Sequence, residues 1–578
     1  MLVHLSPTGS DDTSQLTGSG SAFGETKPEV LRADLDPGDW QQGSSHTSVL
    51  SIDARNVRHL AMEGAVLNDF ALAARDVLIE GGYVKFNSAT SASGIRALSL
   101  GGNHNRVRGF RVSIPGTAFT GVYISDYYGN ACDFNQLTDL DISMGSNSCV
   151  IITGSKYNEV RGGFFQGWDD GISLKAANRD CEHFLVEGAT FTDTGNVLGI
   201  GSEIGYRPID GGSPTPRWVR NVTAVGIVCD RTSQILHVKP GGIDNPASPD
   251  AYNWRLGTVE NVRVADVVHT DPEGEKFIRL ATFISYHGAT IRDVTMSGVR
   301  ARSRCKDHSS AQRLFYIQGG STSEDTLTLR NVLLRDIEYT DPYAGALHGT
   351  SVPGRSIESV IQFDNGYMNV DEFNVVGLRV DGLNGNVLRA DTAALGRMHL
   401  EDIFIRPGAN GAVSNPIVSA PNATWTVMKN WEIDIPSVGS RYFNLGGTVV
   451  GEEHAAQLGD VPAGATGTTW KAIPFVVPRE RHAWIVNARL TVSAAVAASA
   501  TEYATLTLRN VTRGITIATF ATIGGIAAYT PVRFSAGNLV TNSAMCNRGD
   551  VIELQVVQTG TTGVALADLA LVLEYVPF

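Results

Sequence analysis

A degenerate repeat constrains this chain more than any other feature. Short β-rich segments recur, each led by Asn, Asp or Glu before a valine or another apolar residue. They include RDVLIEGGYVKF (75–86), NRVRGFRVSI (105–114), NEVRGGFFQG (158–167), RNVTAVGIVC (220–229), ENVRVADVVHT (260–270), RDVTMSGVRARS (292–303), RNVLLRDIEYT (330–340) and WTVMKNWEIDI (425–435). The lead residues Asn158, Asn221, Asn261, Asp293 and Asn331 lie 63, 40, 32 and 38 residues apart, and HFLVEGATFTDT (183–194) fills the widest gap with another copy. Apolar and polar residues alternate within each copy, as in a strand with one buried face. Gly, Asn and Asp between copies supply turns. No long 3.6-residue period is evident, so helices should be scarce.

Repeats of about 22 residues with variable loops fit the coils of a right-handed parallel β-helix, where each rung pairs its backbone with the next. Even strand spacing also suits a β-sandwich, but roughly a dozen rungs between Ser51 and Pro436 exceed one sandwich. The fold expected is therefore all-β, with the β-helix over 51–436. Residues 1–50 read as an N-terminal cap or attachment region, which a first rung with unpaired backbone requires. Residues 437–469 read as a linker. Residues 470–578 carry strands spaced like an antiparallel sandwich or jelly roll, suited to trimerisation or carbohydrate binding.

Charge separates these regions. Net charge is −13 over 578 residues, which argues against nucleic-acid and anionic-membrane partners. From Arg441 onward nine basic and nine acidic residues balance, so the first 440 residues carry the whole excess. The six cysteines form no C-x-x-C pair and are expected to be reduced and mostly buried. MLVHLSPTGSDD lacks a basic stretch followed by an apolar one, and no run of about 18 apolar residues occurs, so neither export nor membrane insertion is expected. No phosphate-binding loop, metalloprotease helix or calcium-loop spacing occurs, and neither a metal nor a cofactor is expected.

Three segments carry the candidate chemistry: GWDDGISLK (167–175), TGNVLGIGSE (194–203) and RNVTAVGIVCDRTSQILHVKPGG (220–242). Cleaving a glycoside with inversion needs one protonated carboxylic acid at the leaving oxygen and one carboxylate holding a water. Adjacent aspartates repel, which raises one pKa and supplies the acid. Asp169 is read as the acid and Asp170 as the base. Lys239 and His237 are placed to stabilise negative charge. Asp-Asp-Gly alone is an ordinary turn, and His237-Val238-Lys239 alone a solvated strand face; their order on successive rungs is what points to a site. Trp168 could stack on a sugar. Tyr206, Arg207 and Asp210, in the long loop YRPIDGGSPTPRW, are candidate groove walls, as are Asp126, Tyr127 and Tyr128 in SDYYGN.

The order of these segments resembles that of the polygalacturonase family of glycoside hydrolases, which are right-handed β-helices. The resemblance spans Asn147 to Gly242. It implies that Asp169 and Asp170 match the family's catalytic pair, Ile200-Gly201-Ser202 its Ile-Gly-Ser, and Lys239 the lysine of its Arg-Ile-Lys. Glu203 extends the second motif, as in some bacterial members, and stands as the substitute carboxylate. The family's histidine falls at Asn196 and its arginine at His237. Its further aspartate falls near Asn147-Ser148-Cys149-Val150, where no carboxylate remains. These departures argue against pectin as substrate.

The layout of cap, long acidic β-helix and neutral β-rich C-terminus resembles that of bacteriophage tailspike depolymerases. That resemblance implies a homotrimer on a virion tail, made in the host cytoplasm, attached directly or through an adaptor protein. It would bind and hydrolyse a capsule, exopolysaccharide or O-antigen at the bacterial surface. The competing expectations are a polysaccharide lyase acting on a uronate, a non-catalytic adhesin, and a non-phage glycosidase of the polygalacturonase type.

Overall fold

A computed structural model of the 578-residue chain describes residues 2–4, 48–53, 59–68, 70–86, 96–115, 120–125, 131–177, 179–204, 216–240, 257–271, 279–285, 288–303, 312–320, 322–323, 326–340, 357–364, 366–391, 393–407, 418–433, 443–445, 448–534 and 544–578. The chain forms two compact units. One comprises Met1–Phe373 with Arg389–Ala394, the other Asn374–Leu388 with Leu395–Phe578. Most of the proposed N-terminal cap lies outside the described residues.

The first unit is a parallel β-helix. One of its faces is built from strands Ser148–Thr153 (β1), Asp170–Ala176 (β2), Asn196–Ile204 (β3), Gln234–Pro240 (β4), Arg279–Ile284 (β5), Gln312–Gln318 (β6) and Ile357–Asp364 (β7). Each pairs in parallel with the next. Period-two alternation sends Ile172, Leu174, Leu236, Val238, Ala281 and Phe283 into the core. The residues between them face outward. One outward row runs Ser173, Gly199, His237, Thr282, Tyr316, Gln362, one residue per rung. Strands that share no sequence motif are thus brought into a single line of side chains.

The repeat seen in the sequence is the corner that leads out of this face. Asn221, Asn261, Asp293 and Asn331 all adopt left-handed backbone, with φ of 58°, 51°, 56° and 49°. Asn and Asp tolerate that conformation best among residues with a Cβ, because their short polar side chains bond locally. Asn261 donates from Nδ2 to Asn221 Oδ1, and Asn331 to Asp293 Oδ1, both at 2.7 Å. The valine after each lead residue turns inward. Val222, Val262, Val294 and Val332 pair in sequence down the column and are fully buried.

The NEVRGGFFQG copy departs from this pattern. Its left-handed corner residue is Tyr157, and Asn158 occupies the inward column, one position from where the lead-residue register places it. Buried amides need partners, and a ladder supplies them. Asn105 donates to Asn135 and Asn135 to Asn158, each at 2.8 Å, and Asn158 donates to Ser155 Oγ. Outside this ladder the corner residues are aromatic. His104, Phe134, Tyr157 and His183 stack with ring centroids 4.9, 4.8 and 4.6 Å apart. Cys132, Cys149, Cys181, Cys229 and Cys546 are all buried.

The second unit contains parallel rungs, with Ala394–Pro407 paired to Ala423–Ile433 and that strand to Thr448–Val450. Two antiparallel sheets follow. One orders Glu452–Val461, Leu566–Pro577, Ala483–Thr491 and Val532–Arg533, and the other Thr469–Val476, Val551–Thr559, Tyr503–Asn510 and Ile515–Ala521. Residues 437–469, read as a linker, therefore contribute a full strand to this sandwich. Glu452–Val461 is an edge strand whose side chains are nearly all solvated, so EEHAAQLGDV lacks the apolar alternation of a central strand.

Candidate active site

The outward face of β1 to β4 holds an open cleft of about 410 Å³ lined by Asn147, Ser148, Asp169, Asp170, Ser173, Lys175, Gly199, Ile200, Gly201, His237 and Lys239. Asp169, Asp170, His237 and Lys239, spread over 70 residues of chain, meet here because β2 and β4 lie on either side of β3 in the stack of rungs.

Asp170 opens β2 and is half-buried. Asn196, its partner on β3, donates from Nδ2 to its Oδ1 at 2.7 Å. Burial and the neighbouring charge of Asp169 push the Asp170 carboxyl up to about 6, against the opposing pull of Asn196, Ser173 and Lys239. Asp169 is exposed. Backbone shape fixes this asymmetry. A Cβ on Gly199 would fall 2.5 Å from the Asp170 carboxyl, and one on Gly195 would fall 2.7 Å from the Trp168 carbonyl oxygen and 2.9 Å from that of Asp169. Both glycines leave room for the Trp168-Asp169-Asp170 turn. Gly201, at φ 111°, lies against Lys239: a Cβ there would meet the Lys239 carbonyl oxygen at 2.1 Å. The glycines of TGNVLGIGSE thus shape the floor of the cleft.

His237 follows Gly199 in the outward row. Burial, Lys239 and Arg279 lower its pKa to about 3, so the ring is neutral across the physiological range. Its Nε2 is buried with no hydrogen-bond partner. Cys149, on β1, is a buried thiol held well above the ordinary range by burial and by Asp170. It marks the side of the cleft where the resemblance would require a carboxylate.

Trp168 is 70% exposed beside the aspartates, so core packing does not account for it. Asn196 does not line the cleft; it is buried against Asp170. Glu203 lies in β3, but its side chain is outside the described residues, as are Tyr206, Arg207, Asp210, Asp126, Tyr127 and Tyr128 entirely. Sequence reading missed Asn147, Ser148, Ser173 and Lys175. For Ser173 and Lys175 the signal was present: in ISLK they alternate with Ile172 and Leu174, which fill the core.

No family model matches the chain, and no curated protein matches it. Among solved structures it is similar to the tailspike protein of Escherichia coli bacteriophage HK620 in complex with a pentasaccharide, at 9% identity and a TM-score of 0.40, over 92% of this chain and 84% of that one. It is also similar to the Pseudomonas phage phi297 tailspike gp61, at 11% identity and a TM-score of 0.31, over 88% and 67%.

Proposed function

We propose that this chain is a phage tailspike that cleaves a bacterial surface polysaccharide by glycosidic hydrolysis, with Asp170 as general acid. The observation that carries this reading is the unequal pair of neighbouring aspartates in one polar cleft. Asp170 is half-buried and retains its proton to about pH 6, while Asp169 stands exposed. This reverses the roles expected from sequence, because burial, not position in the motif, decides which carboxyl stays protonated.

In this mechanism Asp170 donates its proton to the glycosidic oxygen as the bond to the sugar carbon breaks. Asp169 takes a proton from the water that attacks that carbon. Asn196 occupies Oδ1 of Asp170, which leaves Oδ2 to carry the transferable proton. Lys239 and Lys175 offset charge in the cleft, and Trp168 offers an aromatic face at its rim. Glu203 remains the substitute partner should the adjacent carboxylates stand too close together for a water.

A lyase reading is favoured by one feature, the neutral and unpartnered His237 beside Lys239. Against it, a histidine with a pKa near 3 is a weak base for abstracting a carbon-bound proton. Product analysis separates the readings. Purified protein is screened against capsular and O-antigen polysaccharides with mass spectrometry of the products. Hydrolysis yields fragments heavier by one water per cut and new reducing ends. Unsaturated, ultraviolet-absorbing ends without added water overturn it in favour of a lyase, and intact polymer that remains bound overturns it in favour of an adhesin.

A further inference from the structure

The Asp170 carboxyl does not stand above its own strand. A Cβ on Gly199 would fall 2.5 Å from its Cγ and from both of its oxygens, so the carboxyl fills the place that a side chain at Gly199 would take. Gly199 lies between Ser173 on β2 and His237 on β4 in the outward row. One strand step of about 4.8 Å therefore separates the carboxyl from His237, the residue on the flank away from its own rung. Both residues line the cleft.

A carboxyl and an imidazole this close compete for one proton. At their ordinary values of 3.8 and 6.5 the histidine takes it, and the carboxylate left behind has nothing to donate. In the cleft the order is inverted: the carboxyl is pushed up to about 6 and the imidazole down to about 3. Withdrawal from water is the first cause for both, because it penalises the two charged forms and favours the neutral pair. Geometry points the same way. An imidazolium donates from both ring nitrogens, and Nε2 of His237 is buried with no hydrogen-bond partner. The charges nearby are these. Asp169 raises the Asp170 value and Lys239 on β4 lowers it, while Lys239 and Arg279 on β5 lower that of His237. Lys175 on β2 lines the same cleft, and the Cys149 thiol on β1 stays neutral.

We propose that His237 is a positioning residue for the proton donor: it closes the flank of the Asp170 carboxyl with a ring that carries no charge, and so keeps the proton on the carboxyl, where it can pass to the glycosidic oxygen. A cation in the same place would hold Asp170 as a carboxylate and remove the donor. This role rests on the reading of Asp170 as general acid, and it adds the residue that keeps the acid protonated.

The test replaces His237 in the full chain and follows the Asp170 proton with and without substrate. Infrared difference spectra report the protonated carboxyl as pH rises, and the band is assigned by its loss in Asp170→Asn. His237→Arg puts a charge that is never released beside the carboxyl. The infrared midpoint should then fall from about 6 to between about 3 and 5. The high-pH limb of kcat/KM should move with it, which lowers kcat/KM at the wild-type midpoint about fivefold or more. His237→Gln, uncharged and able to hydrogen-bond, should keep the wild-type midpoint. An unmoved midpoint in His237→Arg overturns the proposal, as does an equal fall in His237→Gln. Turnover lost without any movement of the limb shows a purely structural role and overturns it too. If His237→Arg does not fold, nitrogen-15 spectra of the histidine rings in wild-type protein decide, with His237→Gln for assignment. A His237 ring that stays neutral from pH 5 to 8 supports the proposal, and one that takes up a proton between pH 5 and 7 overturns it. If wild-type protein cleaves none of the polysaccharides tried, the infrared midpoints still decide: a fall in His237→Arg supports this control of the proton while the hydrolytic reading fails, and no fall overturns both.

Discussion

Asp170 carries the cost of its own reactivity. Its folded-state pKa of about 6 lies above the 3.8 of a free side chain, so the folded protein binds this proton more tightly than the unfolded chain does. The resulting stabilisation is complete below pH 3.8 and is lost as pH rises through about 6. Above that, a charge partly withdrawn from water beside Asp169 opposes folding. Asp170→Asn should therefore stabilise the protein at pH 7.5 by about 1–3 kcal/mol, and by little or nothing at pH 3.5. Thermal unfolding at both values checks this; a destabilised variant at pH 7.5 would contradict the assigned burial. The adjacency of Asp169 and Asp170 was legible in the sequence. Which of them is buried was not, because that depends on Gly195 and Gly199, which make room for the turn from the neighbouring rung.

The strands were legible for a different reason. A rung must bury one face and turn one corner, and both needs leave marks at fixed positions. Val262 and Val294 took the core, as the alternation within each copy implied, and Asn261 and Asp293 took the left-handed corner. The mark disappears where chemistry substitutes for it. Tyr157 takes the corner by stacking, and Asn158 takes the core by joining an amide ladder, so the lead-residue pattern shifts by one. The edge strand Glu452–Val461 left no mark because it buries little. Val294 is 0% exposed, with Val262 and Val332 on either side. Val294→Asp should cost several kcal/mol, since it buries an unpaired charge in an apolar column. Urea denaturation measures this; a loss under about 1 kcal/mol would show that the column yields.

For the molecule as a whole, the sequence showed a boundary in charge more clearly than one in structure. The neutral region after Arg441 overlaps the two antiparallel sheets of the second unit, though the first of their strands begins at Glu452 rather than Trp470. We propose that residues 470–578 hold a trimer, because balanced charge and apolar strands suit burial between subunits. Light scattering should give a trimer for the full chain and a smaller species when these residues are removed. A full-length monomer at micromolar concentration, or a truncated chain that stays fully trimeric, would contradict it. Tyr206 and Arg207, expected to wall the groove, lie outside the described residues, and their segment carries no periodic signal from which the sequence could place them.

The claim that Asp170 is the proton donor is tested most directly by the pH dependence of polysaccharide turnover in wild-type, Asp170→Asn and Asp169→Asn proteins. Wild-type kcat/KM should fall as pH rises through about 6, the value at which Asp170 loses its proton in the free enzyme. Asp170→Asn should lower turnover by roughly 10²–10⁴ with the fold intact and abolish that limb, and Asp169→Asn should lower turnover by a comparable factor. Full activity in Asp170→Asn, or a high-pH limb near 6 that survives the substitution, would place the acid elsewhere.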